Sequence, residues 1–410
     1  MNLRTPARAP TITPAGGGIA APAGYRAAGA ACGLKPAGLD IALVVSDRLA
    51  SAAGIFTTNL AVAAPVVVTK AQLADSEGRA RVIAVNSKCA NACTGPGGAT
   101  DAETMVTAAA EAVRCDRAHV LIASTGVIGM KLDTAKVSAG LAEAARMLSR
   151  DGHRAAAEAI MTTDVSPKEA AVRVDTPGGP ITIGGMAKGA GMIEPNLATM
   201  LGFLTTDAAV APAELERLLR AAANVSFNAI SVDGEPSTND TVLMLANGAS
   251  GVAIDETTTP AFMAGLEQVC IQLAREIVRG GEGATKLATI RVEGAATDDD
   301  ARRAARAIAN SPLVKTALNG GDPNWGRLVA VAGRAGVAFD PERTVVRIGG
   351  VVLYDGVTIH VNREAEAADH LANDEVELCV DLGVGGTCAA TMWTCDFSAD
   401  YVHINADYRT

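Results

Sequence analysis

Short apolar runs bounded by glycine or polar residues recur early in the chain: ALVVSD (42–47), APVVVTK (64–70), RVIAVNS (81–87) and HVLIASTGV (119–127). Each is brief and rich in β-branched residues, so each predicts a strand. Thr100 and Glu103 then form a capping-box pattern ahead of an Ala-rich stretch, which predicts a helix from Thr100 to Val113. Further helices are expected over 134–149 and 154–161, with strands near 170–174 and 181–184. Beyond these, 211–224 predicts a helix, and 226–232 and 240–248 predict strands. From Pro260 to Val278 the apolar residues Phe262, Leu266, Val269, Leu273 and Ile277 fall on one helical face, ending at Gly280-Gly281. KLATIRVEG then predicts a strand, and DDDARRAARAIAN a helix whose acidic start suits its dipole. Strands and one more helix are expected from there to about Cys395.

Strands and helices are mixed and the early strands crowd together. The expected fold is α/β (α+β), with stacked β-sheets sandwiched between helices and a second, smaller α/β C-terminal domain. The boundaries expected are a disordered arm over 1–12, a main domain over 13–283 and the C-terminal domain over 284–410. No G-x-G-x-x-G follows a strand and no G-x-x-x-x-G-K-[ST] occurs.

Composition narrows the function classes. Hydrophobic residues make up 49% of the 410-residue chain but aromatics only 3%, so the core must be built mainly from Ala, Val, Leu and Ile. A formal net charge of −10 argues against nucleic acid as a partner. The first residues, MNLRTPARAPTITPAGGG, contain no apolar core of a secretory signal, and no run suits a membrane span. A soluble, cytoplasmic protein is expected. The eight cysteines form no C-x-x-C and the five histidines are dispersed, so reduced thiols and no metal site are expected.

One stretch raises a chemical question. GAGMIEPNLATMLGFLTTD (189–207) turns at its glycines and Pro195, then hands over to an apolar strand at Thr199. A hydroxyl is a poor nucleophile without a base. Breakage of the chain between Ala198 and Thr199 would supply one, because the new α-amine has an unperturbed pKa of about 8. The same pattern fits a threonine that merely begins a strand. Lys188 suits a substrate carboxylate or a solvated loop. STGVIG (124–129) suits an oxyanion cradle built from backbone amides or the Thr125 hydroxyl, or an ordinary turn. GEGATK (281–286) suits an anion nest, offers Glu282 to a cation, or is a plain connector. DGEPSTNDT (233–241) is expected to be a hairpin loop.

Eleven blocks in order change the weight of these alternatives: GYRAAGAACGLK, GIFTTN, NACTG, STGVIG, IMTTDVSPK, KGAGMIEPNLATML, SVDGEPSTNDT, RGGEGATK, SPLVKTAL, DPNWGR and DYVHINADYRT. With them the chain resembles the glutamate N-acetyltransferase / ornithine acetyltransferase family of arginine biosynthesis over nearly its whole length. The resemblance implies a precursor that cuts itself between Ala198 and Thr199 and assembles as an α2β2 heterotetramer. Thr199 would be the nucleophile of a ping-pong transfer from N-acetylornithine to glutamate, releasing ornithine. Thr125 and Gly126 would form the oxyanion hole. Thr162, Lys188, Thr199, Glu282, Asn405 and Thr410 would bind substrate, the last of these through a tail that returns to the site. No cofactor is implied, although some members also accept acetyl-CoA as donor. An N-terminal-threonine amidohydrolase or aminopeptidase, and a non-catalytic family member, are the alternatives. One departure stands out: Lys88 and Cys89 occupy positions before NACTG where the family usually has glycine and asparagine, and no site role is carried onto them.

Overall fold

The computed structural model describes residues 10–194 and 200–407. The chain begins with β1 (Ile12–Pro14), β2 (Tyr25–Ala30), β3 (Ile41–Phe56), α1 (Ala64–Asp75), β4 (Arg79–Asn86), α2 (Pro96–Val113) and β5 (Val120–Ser124). Next come α3 (Thr134–Arg146), α4 (His153–Ala159), β6 (Lys168–Thr176), β7 (Gly179–Lys188) and β8 (Leu201–Thr206). They are followed by α5 (Pro212–Asn224), β9 (Ile230–Ser231), β10 (Thr241–Ala246) and α6 (Thr259–Arg279). The C-terminal part starts with β11 (Leu287–Ala295), α7 (Asp298–Ala309), α8 (Pro312–Gly320), α9 (Trp325–Gly333) and β12 (Val345–Ile348). It ends with β13 (Val351–Tyr354), α10 (Glu364–Leu371), β14 (Glu375–Asp381), β15 (Cys388–Cys395) and α11 (Ala399–Asp407).

Nine strands form one hydrogen-bonded path, β1-β6-β7-β8-β10-β3-β4-β5, with β2 also on β3. The 16-residue β3 makes this path into two layers. Its first half pairs with β2 and β4, its second half pairs with β10, and its register on β4 slips between Val45 and Ala50. An irregularity of this kind bends a strand and raises its twist. Alternation along β3 then sorts its side chains. Ala42, Val44 and Ala52 join Phe203, Leu243 and Leu245 between the layers. Leu43 and Val45 pack with residues of α2 and α3, while Ala53 and Ile55 pack with residues of α5 and α6. The expected stack of two β layers between helical layers is present, and the many alanines of the inner cluster let those layers close with few aromatics.

A second, six-stranded sheet runs β13-β12-β14-β11-β15-β9, with residues of α7, α8, α9 and α10 in its core cluster. Its edge strand comes from elsewhere in the chain. β9 lies between α5 and β10 in sequence, yet it pairs in parallel with β15, Ile230 with Trp393 and Ser231 with Thr394. This places the segment after β9 against the C-terminal part.

Several local expectations are corrected. Residues 64–70 are helical: Pro65 occupies the first turn of α1, where its missing N–H costs nothing, and helix packing overrides the β-branched run. α2 starts at Pro96 after Gly95, so Thr100 lies inside the helix and does not cap it. Only Ile230–Ser231 of 226–232 is strand, after a 3₁₀ turn at Phe227–Ala229. Residues 233–241 are not a hairpin loop, because β9 and β10 belong to different sheets. Three helices rather than one lie between Ala309 and Cys395: Ser311 caps α8 and Asn324 caps α9, with α10 following. The arm expected over 1–12 overlaps β1, where Ile12 pairs with Val174.

Candidate active site

A cavity of about 150 Å³ opens where the loops at the ends of β5, β7, β9 and α6 meet α11. Thr125, Gly126, Thr162, Lys188, Glu282 and Asn405 all line it. Ala198, Thr199 and Thr410 lie outside the described residues, but Ile193 and Met200, on either side of the expected cut, both line this cavity.

The cationic side of the site is built around a buried carboxylate. Lys188, on the last residue of β7, donates from Nζ to Thr162 Oγ1 at 2.8 Å and lies 3.9 Å from Asp164. Burial pushes the Lys188 ammonium below the ordinary lysine range, and Asp164 offsets part of that push. Asp164 accepts from Lys168 Nζ at 2.6 Å, from the Gly189 N–H at 2.7 Å and from the Thr162 N–H at 3.1 Å. Burial alone would raise the Asp164 carboxyl, but Lys188, Lys168 and these hydrogen bonds outweigh it and hold its pKa at about 2. Two cations thus share one anion, which leaves a net positive charge for an incoming carboxylate.

The anionic side is Glu282, almost fully buried just after α6. Its backbone N–H donates to Ala190 O at 2.8 Å, and its carboxylate accepts from Asn405 Nδ2 at 2.9 Å. Gly191 packs so closely that an added Cβ would lie 2.4 Å from Glu282 Oε2. The C-terminal helix α11 lines the same cavity with Asn405. Tyr401, one turn earlier, donates to Asp233 at 3.2 Å. Burial, and then the Asp233 charge, push the Tyr401 phenol well above its ordinary range, so it remains a donor.

The third wall follows β5. The Thr125 N–H donates to Asn86 O at 3.1 Å, so what Thr125 offers the cavity is its hydroxyl. Gly126 sits at φ +128°, and a Cβ there would meet the Lys88 carbonyl carbon and oxygen at 2.2 Å. Val127 N–H donates to Lys88 O at 2.9 Å and Ala90 N–H to Val127 O at 3.1 Å, which lashes the two segments together. Asn239 Nδ2 donates to both Ala90 O and Ser124 O, bracing the pair from behind. Lys88 itself adopts φ +82°, a conformation glycine takes freely and lysine resists. The departure noted in the sequence is thus a strained position behind the Thr125–Gly126 turn.

A model of the ArgJ family matches residues 26–410. The chain belongs to the ArgJ family. A relative from Symbiobacterium thermophilum, named arginine biosynthesis bifunctional protein ArgJ, is 50% identical over 400 residues, covering 96% of this chain and 99% of that protein. A protein of the same name from Dehalococcoides mccartyi is 48% identical over 404 residues, covering 96% of this chain and 98% of that protein. A solved structure of ornithine acetyltransferase complexed with ornithine, from Mycobacterium tuberculosis, is 40% identical, with a TM-score of 0.42; the match covers 46% of this chain and 100% of the solved one.

For this ArgJ-family chain, the structure adds residues that sequence reasoning missed: Asp164, Lys168, Asp233, Tyr401 and Asn239. Asp164 and Lys168 lie inside IMTTDVSPK, Asp233 and Asn239 inside SVDGEPSTNDT, and Tyr401 inside DYVHINADYRT. The available signal was a charged, amide or phenolic side chain within a block already singled out. Among the described residues, no cluster of side chains suits a metal ion, and no helix is long and apolar enough to cross a membrane.

A carboxylate with a depressed pKa contributes its stability above its unfolded value of about 3.9 and loses it as the pH falls through the folded one. Asp164 should therefore contribute about 2 kcal/mol that disappears between about pH 4 and pH 2. Asp164→Asn should cost about 3–5 kcal/mol at neutral pH by leaving buried cations unpaired. Urea midpoints measured against pH should show the acid-dependent loss shrinking in that variant; an unchanged acid slope would contradict the assignment. At the strained position, Lys88→Gly should leave stability unchanged or raise it by up to about 1 kcal/mol. Gly126→Ala should lower it by about 1–3 kcal/mol because the clash is with backbone, as the same titrations would show.

Proposed function

We propose that this chain is a self-processing acetyltransferase of arginine biosynthesis that moves an acetyl group from N2-acetyl-L-ornithine to L-glutamate through Thr199. The observation that carries the proposal is one cavity holding a buried cation, Lys188, and a buried anion, Glu282, beside the Thr125–Gly126 turn. Residues on both sides of the Ala198–Thr199 bond form part of its wall. The relatives named arginine biosynthesis bifunctional protein ArgJ, aligned over nearly the full chain, support the same activity.

Maturation begins when the Thr199 hydroxyl adds to the Ala198 carbonyl carbon. The C–N bond breaks, the proton ends on the freed α-amine, and water hydrolyses the resulting ester to an Ala198 carboxylate and a free Thr199 hydroxyl. The products are an α chain (1–198) and a β chain (199–410), expected to assemble as α2β2. In catalysis the Thr199 α-amine takes the hydroxyl proton as Oγ attacks the acetyl carbonyl. The Thr125 hydroxyl and Gly126 stabilise the developing oxyanion. Ornithine leaves as its amine regains a proton, and the glutamate amine attacks acetyl-Thr199 to give N-acetylglutamate. Lys188 with Thr162 holds the amino-acid carboxylate, and Glu282 with Asn405 holds the ammonium; Thr410 is assigned to the same substrate set. No cofactor is required. The word bifunctional in the relatives' names supports a second use of the site, with acetyl-CoA as donor.

Purified protein should transfer acetyl from N-acetylornithine to glutamate with little acetate released. Acetate as the main product would instead identify an amidohydrolase. Thr125→Ala should lower kcat by about 10²–10³. Thr199→Ala should abolish both self-cleavage and transfer, and retention of either would overturn the proposed nucleophile.

A further inference from the structure

The backbone that leads into the cleavage stretch is gripped one residue at a time. Gly189 N–H donates to Asp164, and Ala190 O accepts from the Glu282 N–H at 2.8 Å. Met192 N–H and Ile193 N–H donate to the two Asp233 oxygens at 2.6 and 2.8 Å. Ile193 O accepts from Val232 N–H at 2.8 Å. On the far side, Met200 O accepts from Thr241 N–H at 3.0 Å, and β8 begins at Leu201. Within this approach Met192 adopts φ +56°. A non-glycine residue in that region costs roughly 1–2 kcal/mol and persists only where its surroundings impose it.

The last described residue before the cut is Glu194, and it is held from a distant part of the chain. Its carboxylate accepts from Asn310 Nδ2 at 2.5 Å and from Arg306 Nη1 at 3.2 Å. Arg306 also donates to Asn228 O at 3.0 Å, and Asn310 Oδ1 accepts from Ser231 Oγ at 2.5 Å. Arg306 is in the last turn of α7, and Asn310 caps that helix. Asn228 and Ser231 flank and form β9, the strand that the C-terminal sheet borrows. Asp233 follows the same strand and is met by Tyr401 of α11. Both grips on the approach to Thr199 are thus set by elements that are translated after it.

We propose that Glu194, held by Arg306 and Asn310, is a positioning residue for self-cleavage, so that the cut at Ala198–Thr199 waits until α7 has docked. The inference rests on the self-processing reading above and adds its timing. Attack of the Thr199 hydroxyl on the preceding carbonyl requires a bent backbone, and a bend is held only when both of its ends are fixed. An undocked C-terminal part leaves Glu194 without these partners. The physical consequence is order: the chain is not severed before the C-terminal part, whose strands all follow Thr199, has docked on Glu194.

The test is a time course of self-cleavage in full-length chains freshly made by cell-free translation, read by denatured intact mass, with thermal melting of each purified variant. Arg306→Ala combined with Asn310→Ala should slow the cut by about tenfold or more while melting stays cooperative. Arg306→Lys, which keeps a cation against Glu194, should recover most of the rate. Molecules of the double variant that have been cut should keep kcat/KM for acetyl transfer within about threefold of wild type, since the pair acts before catalysis. Cutting of the folded double variant at the wild-type rate would overturn the proposal. If the double variant does not melt cooperatively, Glu194→Gln decides: slower cutting with near-native melting supports the proposal, and an unchanged rate overturns it. A wild-type chain that never cuts would fail the self-processing reading itself, an outcome distinct from equal rates in wild type and variant.

Discussion

The Asp164 side chain is shielded from solvent, yet its carboxylate holds Lys168, Lys188 and the Gly189 N–H together. Burying three charged groups is costly, and the cost is met only because hydrogen bonds satisfy the carboxylate. That arrangement fixes the chain at the end of β7, through Gly189, and the Lys188 ammonium that lines the cavity. Substituting an apolar group would relieve the desolvation cost but leave the site without its positive charge. With two lysines against one carboxylate, this cluster supplies the positive side of the cavity. Glu282, held across the cavity by its neighbours, supplies the opposite charge. In the proposed reaction a ligand bearing both a carboxylate and an ammonium is recognised at its two ends, and the acyl group is left for the Thr125–Gly126 turn.

The fold serves this placement through two long-range connections. β3 runs through both layers of the main sheet, which puts β5 with its Thr125 turn and β7 with Lys188 into one hydrogen-bonded framework. β9 leaves that framework and joins the C-terminal sheet, carrying Asp233 to meet Tyr401. α11 adds Asn405 to the same cavity. The C-terminal part is therefore a wall of the site rather than an appendage.

How much of this was legible follows from how local each signal is. α5 and α6 could be read because their apolar residues repeat at helical spacing. α1 could not, because Val66, Val67 and Val68 imitate a strand and only Pro65 hints at a helix start. The starts of α8 and α9 carried usable caps in Ser311 and Asn324, within blocks already singled out. Nothing near Ile230 announces that its partner lies at Trp393. In the site, Thr125, Gly126, Thr162, Lys188, Glu282 and Asn405 were named by family resemblance, and the fold brings them to one cavity. Asp164 and Asp233 escaped because they bond backbone N–H groups, which have no sequence signature. The strain at Lys88 was visible as a departure, and its φ gives it a physical meaning.

The central claim is that Thr199 becomes a new N-terminus and carries the acetyl group between donor and acceptor. The most direct measurement is the denatured mass of the purified protein after brief exposure to N-acetylornithine with no glutamate present. The account predicts two fragments meeting at Ala198 and Thr199, with a single added acetyl on the second fragment that disappears when glutamate is supplied. A persistent full-length chain, or fragments that never gain the acetyl group, would contradict it.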